Sequence, residues 1–168
     1  MQKWVRFCAA LCGFLALSAC FPIPPETQLR WTSDIDMALD MSPVNLQAKA
    51  DGGDRHAMVA YSVVLRYGLH GVPVDAATAD VYVGQATRPL SYQTSFIWVG
   101  ATKKSPGHMI PVTTPVYDYL PAQADVVANC AEILAPQDDP PGLDAKLEKG
   151  VCGGADNYHR LKAKWHNS

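Results

Sequence analysis

The sequence predicts a mainly α-helical domain that contains one long irregular segment. Apolar residues recur at three- and four-residue spacing in several stretches, and glycine or proline bounds most of these stretches. Residues 89–118 break this periodicity. Of the 168 residues, 48% are hydrophobic and 18% are charged, which is typical of a globular protein. The formal net charge of −2 argues against nucleic-acid binding driven by phosphate contacts.

The amino-terminal residues have the features of a bacterial secretion signal. Lys3 and Arg6 precede an apolar stretch, residues 7–17, that is too short to span a bilayer. The stretch ends in Leu17-Ser18-Ala19-Cys20, which resembles the lipobox of bacterial lipoproteins. The resemblance implies that residues 1–19 are removed as a signal peptide and that the Cys20 thiol carries the lipid.

The lipoprotein resemblance also implies a location. Several lipid chains on one cysteine provide stable membrane anchoring. Phe21 stands where an Asp commonly retains a lipoprotein in the inner membrane, so we expect the outer membrane, with the domain facing the periplasm. Pro22, Pro24 and Pro25 favour an extended polyproline segment. Residues 20–32 are therefore predicted to be a lipidated, proline-rich tether.

Residues 33–168 are predicted to form a single helical domain that begins with two short helices. Ser33 followed by Asp36 resembles a capping box in which Asp replaces Glu or Gln. A second helix is expected from Pro43 to Ala50, since proline suits a first helical position. The inner face of the first helix would consist of Ile35, Ala38 and Leu39, and the sequence pair Asp34/Asp36 is interpreted as part of its start.

The strongest helix prediction covers Asp54 to Tyr67, where apolar residues follow the spacing of one helix face. Asp75 occupies an N-cap position, and Ala76 to Arg88 predicts a second helix that returns along the first. Pro89 ends it. Two helices joined by a short loop form an αα-hairpin.

This αα-hairpin, at about residues 51–88, resembles one SEL-one-like repeat, a solenoid unit related to the tetratricopeptide repeat. The small side chains of Ala57, Ala79 and Ala86 would let the two helices approach closely. Gly68 and Gly71 allow a positive φ in the turn. Because solenoids normally stack three or more units, we expect non-repeat segments to cap this single unit. The positions that carry the resemblance are Gly53, Ala57, Tyr61, Leu65, Gly68, Gly71, Asp75, Ala79, Tyr82 and Ala86.

Residues 89–118 allow two structural interpretations. The apolar runs 96–99 and 109–112 flank a turn signal and predict a small β-hairpin, in which Pro111 favours an edge strand. A long loop draped over the helices fits the sequence equally well. Exposure of Trp98 would create a contact patch for an anionic or aromatic group, whereas a core position for Trp98 would leave only a solvated turn. The candidate patch consists of Trp98, Lys103, Lys104 and His108.

The carboxy-terminal third predicts three more helices, from Pro121 to Ala135, from Leu143 to Lys149 and from Gly154 to Trp165. Cys130 and Cys152 are the cysteines that remain once the signal is removed and Cys20 is lipidated. Such an even pair in an oxidising compartment favours a disulfide, with two buried thiols or two metal ligands as the alternatives. Their spacing fits no zinc pattern.

No catalytic motif occurs in the sequence, which lacks a GxSxG elbow, an HExxH helix and a Walker loop. None of the five histidines has another histidine three or four residues away. We therefore expect a non-enzymatic, lipid-anchored periplasmic interaction module or envelope scaffold that uses no metal or cofactor and binds a protein partner. The alternatives are a small periplasmic hydrolase whose residues assemble in space and a structural accessory of an envelope or secretion assembly. Arg160, Lys162 and Lys164 predict either a basic contact surface or an ordinary polar helix face.

Overall fold

The computed structural model describes residues 24–101 and 106–168. The described chain is mainly helical and contains one two-stranded antiparallel sheet, which confirms the predicted fold class. The predicted signal peptide, the lipidation site Cys20, and Lys103 and Lys104 of the contact patch lie outside the described residues.

The amino-terminal half of the described chain contains helices α1 (Pro25–Trp31), α2 (Ser33–Asp40), α3 (Pro43–Asp51), α4 (Arg55–Tyr67) and α5 (Ala76–Ala86). Strands β1 (Ser91–Val99) and β2 (His108–Val116) follow. The chain then forms α6 (Pro121–Leu134), α7 (Leu143–Glu148) and α8 (Ala155–Trp165), and single 3-10 turns at Leu69–Gly71 and Val151–Gly153.

Helix α1 shows that the prediction of a tether over residues 20–32 is wrong for its second half. Pro25 begins α1, because the amide hydrogen that proline lacks would have no helical partner in a first turn. Gln28 is buried. Leu29 approaches the 3-10 turn so closely that a Cβ atom on Gly153 would lie 2.8 Å from the Leu29 Cα. Helix α1 is therefore part of the domain.

The predicted capping box at Ser33 and Asp36 is also wrong. Thr32 is the N-cap residue of α2, and its hydroxyl donates to the Leu29 carbonyl instead of closing the first turn. The Asp36 carboxylate is engaged by Arg160 on α8. The predicted inner face of this helix is confirmed, since Ile35, Ala38 and Leu39 are all buried.

Helices α4 and α5 form the predicted αα-hairpin, against which α2 and α3 pack. The carboxylates of Asp54 and Asp75 cap the two helices by accepting hydrogen bonds from the amides of Ala57 and Thr78. Gly68 ends α4 with a φ of 69°, a conformation that side chains disfavour. Ala57, Ala79 and Ala86 are fully buried between the helices. Helix α5 ends at Ala86, two residues before the predicted end.

A disulfide connects the carboxy-terminal elements. Cys130 on α6 is bonded to Cys152 in the 3-10 turn, with their Cα atoms 5.0 Å apart and both residues fully buried. This confirms the predicted pairing. The same turn contacts α1, α6, α7 and α8, so the disulfide holds the point at which four helices meet.

The two strands show which of the two interpretations of residues 89–118 is correct. Strands β1 and β2 pair antiparallel, from Ser91 opposite Val116 to Val99 opposite His108. They pack on each other and have no extensive contact with a described helix. The β-hairpin prediction is therefore confirmed, and the loop draped over the helices is excluded. Among the residues described, no helix has both the length and the hydropathy to cross a bilayer.

Candidate functional site

The β-hairpin, residues 91–116, is the most exposed apolar element in the described chain. All residues of β1 are exposed to solvent. Tyr92 is 69% exposed, Phe96 63% and Trp98 64%, which excludes the core position considered for Trp98. Contiguous exposed apolar surface of this kind marks interaction sites in soluble proteins.

The two faces of the β-hairpin differ in composition. Residues that are cross-strand partners share a face, because side chains alternate along each strand. The aromatic face carries Tyr92, Phe96 and Trp98, together with their partners Pro115, Pro111 and Met109. On β1, the opposite face is polar near the helices and aliphatic near the far end. Its residues on β1 are Ser91, Gln93, Ser95, Ile97 and Val99.

The predicted contact patch is only partly assembled. Trp98 and His108 both lie at the far end of the β-hairpin and are exposed. His108, however, is paired with Val99 and not with Trp98, so the two side chains belong to opposite faces. The Trp98 ring instead lies against Gly107, where a Cβ atom would overlap it.

Arg55 at the start of α4 holds both ends of the β-hairpin. Its Nη1 atom donates to the carbonyl oxygens of Ala86 at 2.8 Å and Arg88 at 2.6 Å, just before β1. Its Nε atom lies 4.0 Å from the carboxylate of Asp118, just after β2. Only 15% of the Arg55 side chain is exposed. One guanidinium thus joins the chain that enters the β-hairpin to the chain that leaves it.

A buried carboxylate completes this attachment. Asp34 on α2 accepts hydrogen bonds from the Tyr119 hydroxyl at 2.5 Å and from His56 Nδ1 at 2.8 Å. Burial raises the pKa of Asp34, while the hydrogen bonds from Tyr119 and His56 act in the opposite direction. Burial and the neighbouring Asp34 raise the pKa of the Tyr119 hydroxyl, which therefore remains a donor. We call Asp34, His56 and Tyr119 the anchoring cluster.

The sequence places Asp34 at a helix start and predicts no partner for His56, so it does not predict the anchoring cluster. Its members are separated by 22 and 85 residues, so no local motif contains them. One feature of the sequence does indicate that Asp34 is buried. Asp34 lies four residues before buried Ala38, and therefore on the inner face of α2.

A carboxylate that orients one ring nitrogen of a histidine is chemically suited to hold an imidazolium or a general base. The His56 side chain is 53% exposed. In the described chain, however, the only hydroxyl of the cluster, that of Tyr119, donates to Asp34, and no serine, threonine or cysteine side chain is hydrogen-bonded to His56. The observed contacts of the cluster attach the base of the β-hairpin to α2 and α4.

The basic residues of α8 do not form a free cationic surface. Lys164 pairs with Asp36 at 3.0 Å and with Asp40 at 2.7 Å, and Arg160 also pairs with Asp36. Burial acts to raise the pKa of Asp36, but hydrogen bonds and positive charge from Arg160 and Lys164 outweigh it and lower that pKa. Lys162 donates to the carbonyl of Pro136. These contacts favour the interpretation of a polar helix face.

A cleft of about 430 Å³ is lined by residues of α6 and α7, including Glu132 and Lys146. His70 Nε2 donates to the Ala38 carbonyl oxygen at 2.9 Å. Within residues 24–101 and 106–168, no three His, Cys, Asp or Glu side chains are close enough to hold a metal ion.

Comparisons with known protein families, curated proteins and solved structures find no match for this chain.

Proposed function

We propose that this protein is a lipid-anchored, non-enzymatic interaction module of the bacterial envelope that binds a protein partner through its β-hairpin. The observation that carries the proposal is the exposed aromatic face. Aromatic residues and Met are enriched at the centres of protein interfaces, where charged residues are depleted. No charged residue occurs in β1 or β2.

The lipobox-like residues support attachment to the membrane through Cys20, and Phe21 supports the outer membrane. Because α1 begins at Pro25, residues 21–24 are the chain between the lipid site and the domain. Even fully extended, the chain from Cys20 to Pro25 spans at most about 18 Å. The proposed anchor therefore keeps the domain close to the membrane surface.

The αα-hairpin is proposed to be a SEL-one-like repeat that serves as the support of the β-hairpin. Arg55 and His56, which hold the base of the β-hairpin, are the first two residues of α4. A repeat unit in this role presents the binding element on a rigid helix pair. A partner that belongs to a larger envelope or secretion assembly would make the protein an accessory of that assembly.

Chemical crosslinking in intact cells, followed by affinity purification, tests the proposal. The variant Phe96→Ser/Trp98→Ser removes two residues of the aromatic face. The variant Val44→Ser/Val74→Ser is the matched control, because Val44 and Val74 are 77% and 67% exposed and lie outside the β-hairpin. We expect the wild type and the valine control to recover the same discrete envelope partner, and the aromatic variant to lose it.

A Cys20→Ala variant tests the anchor separately. We expect it to leave the membrane fraction and to lack the mass of a lipid-modified cysteine. Recovery of the partner by the aromatic variant at the wild-type yield would contradict binding through the β-hairpin. Retention of the Cys20→Ala variant in the membrane fraction would contradict anchoring at Cys20.

A further inference from the structure

The outer edge of β2 is blocked against strand addition. The Leu90 amide donates to the Val116 carbonyl oxygen at 2.8 Å, so this carbonyl points towards β1. Because backbone groups alternate in direction along a strand, those of Pro115, Thr113 and Pro111 point away from β1. Proline has no amide hydrogen. The outer edge of β2 therefore lacks two of the donors that an added strand would need.

The outer edge of β1 is open. Tyr92, Thr94 and Phe96 are the cross-strand partners of Pro115, Thr113 and Pro111, so their amides and carbonyls also point away from the partner strand. Trp98, two residues further along, continues the series. Strand β1 contains no proline and no charged residue, and no other described strand pairs with it. An exposed and uncharged edge of this kind is a template for another strand.

We propose that a second copy of this chain occupies the β1 edge, so that two β-hairpins form one four-stranded antiparallel sheet around a two-fold axis. The inference rests on the proposed function, since it takes the β-hairpin as the interaction element, and it adds a second copy of the chain beside the envelope partner. Pairing Ser95 with Ser95 of the second copy uses every outward-pointing residue of the edge. It sets Tyr92 opposite Trp98 of the second copy, and Thr94 opposite Phe96.

The β1 edge can pair with its own copy, and two further properties favour a second copy over another strand. The outward amides and carbonyls recur at every second residue, a pattern that complements itself in an antiparallel two-fold arrangement. The absence of charge in β1 means that two copies do not repel each other. The pairing also continues the aromatic face from one copy to the next, where Tyr92 meets Trp98 across the strands.

The blocked edge of β2 determines the size of the assembly. A β-hairpin with two open edges would add further copies and form a filament. With only one open edge, the assembly is complete at two copies. The pairing also explains how an isolated β-hairpin persists. Two strands are marginally stable in water, and three or more strands form a more stable sheet.

Proline substitutions at two cross-strand partners test the proposal. Thr94 and Thr113 are opposite each other and both amides point outwards, so Thr94→Pro blocks the β1 edge and Thr113→Pro changes only the blocked edge of β2. Light scattering after size-exclusion chromatography measures the mass of the full-length protein in detergent. We expect dimers for the wild type and Thr113→Pro, and half that mass for Thr94→Pro. A monomeric wild type or a dimeric Thr94→Pro would overturn the proposal.

Cysteine crosslinking gives a test that does not depend on proline being tolerated. In the proposed register the two copies of residue 95 form a non-hydrogen-bonded pair with Cα atoms about 4.5 Å apart, which suits a disulfide. Thr114→Cys is the matched control for Ser95→Cys, because Thr114 is exposed on the same face of β2. We expect oxidation to link Ser95→Cys chains into dimers and to leave Thr114→Cys at the wild-type level. Equal linkage of the two variants would overturn the proposal.

The two proposals fail in different ways. A monomeric wild type whose variant Phe96→Ser/Trp98→Ser still loses an envelope partner would overturn pairing between copies and support the proposed function. A dimer that pairs through Ser95 but retains its envelope partner in the aromatic variant would support the pairing and contradict partner binding through the aromatic face.

Discussion

Asp34 determines how the base of the β-hairpin is attached to the helices. Asp34 is 1% exposed, and its carboxylate joins α2 to His56 on α4 and to Tyr119, which follows β2. Arg55 makes a second attachment through the carbonyls of Ala86 and Arg88. Removing a buried acceptor costs more than replacing it with another acceptor, because the orphaned donor stays out of water.

We therefore expect Asp34→Ala and Asp34→Asn to differ. The alanine variant leaves the buried Tyr119 hydroxyl without its acceptor and should lower the free energy of unfolding by about 2–4 kcal/mol. The asparagine variant keeps an oxygen for Tyr119 and offers an amide hydrogen to His56, so its loss should stay below about 1 kcal/mol. Urea unfolding measures both. Equal losses would show that the hydrogen bonds of Asp34 do not stabilise the fold.

The lowered pKa of Asp36 predicts how the free energy of unfolding depends on pH. Its pKa is lowered in the folded protein from an ordinary value of 3.8. A carboxyl group with a lowered folded pKa stabilises the fold above its unfolded pKa, and this contribution disappears as the pH falls through the folded pKa. We expect Asp36→Asn to lower the free energy of unfolding by about 1 kcal/mol at pH 7, since its partners are partly exposed.

The difference between wild type and Asp36→Asn should shrink as the pH falls below about 4. Denaturant unfolding at a series of pH values measures it, with Asp138→Asn in an exposed loop as the control substitution. A difference that is the same at pH 7 and at acid pH would contradict stabilisation by the Asp36 carboxylate.

Helical periodicity, together with proline and glycine at the helix ends, is enough to predict α2 to α8 to within a few residues. It failed for α1, because three prolines near residues 22–25 are equally typical of an extended segment and of a helix start. Which face of α1 is buried depends on Gly153, far away in the sequence. Residues 89–118 were ambiguous for a similar reason. The exposure of β1 arises from what the helices leave uncovered, and no local pattern encodes it.

The disulfide should stabilise α1 in particular, because Cys152 lies in the turn on which α1 packs. The bridge closes a loop with a sequence separation of 22 and should contribute roughly 3 kcal/mol. We expect Cys130→Ala/Cys152→Ala to speed amide hydrogen exchange in α1 more than in β1. Equal acceleration in the two elements would contradict a local connection between the disulfide and α1.

The whole molecule consists of two parts of different composition. The helical body contains the buried core, the disulfide and the ion pairs between α2 and α8. The β-hairpin contributes little to that core and carries the exposed aromatic residues Tyr92, Phe96 and Trp98. The sequence predicted the body and the disulfide. It did not predict the anchoring cluster, whose members meet only when α2, α4 and the segment after β2 are packed together.

We propose the β-hairpin as the interaction surface of the protein. Photo-crosslinking in intact cells tests this proposal, with a photoreactive amino acid at Trp98 in one strain and at exposed Val44 in another. We expect discrete adducts from position 98, of the mass of a second copy or of another envelope protein, and none of these from position 44. The same adducts from both positions, or adducts from position 44 alone, would contradict it.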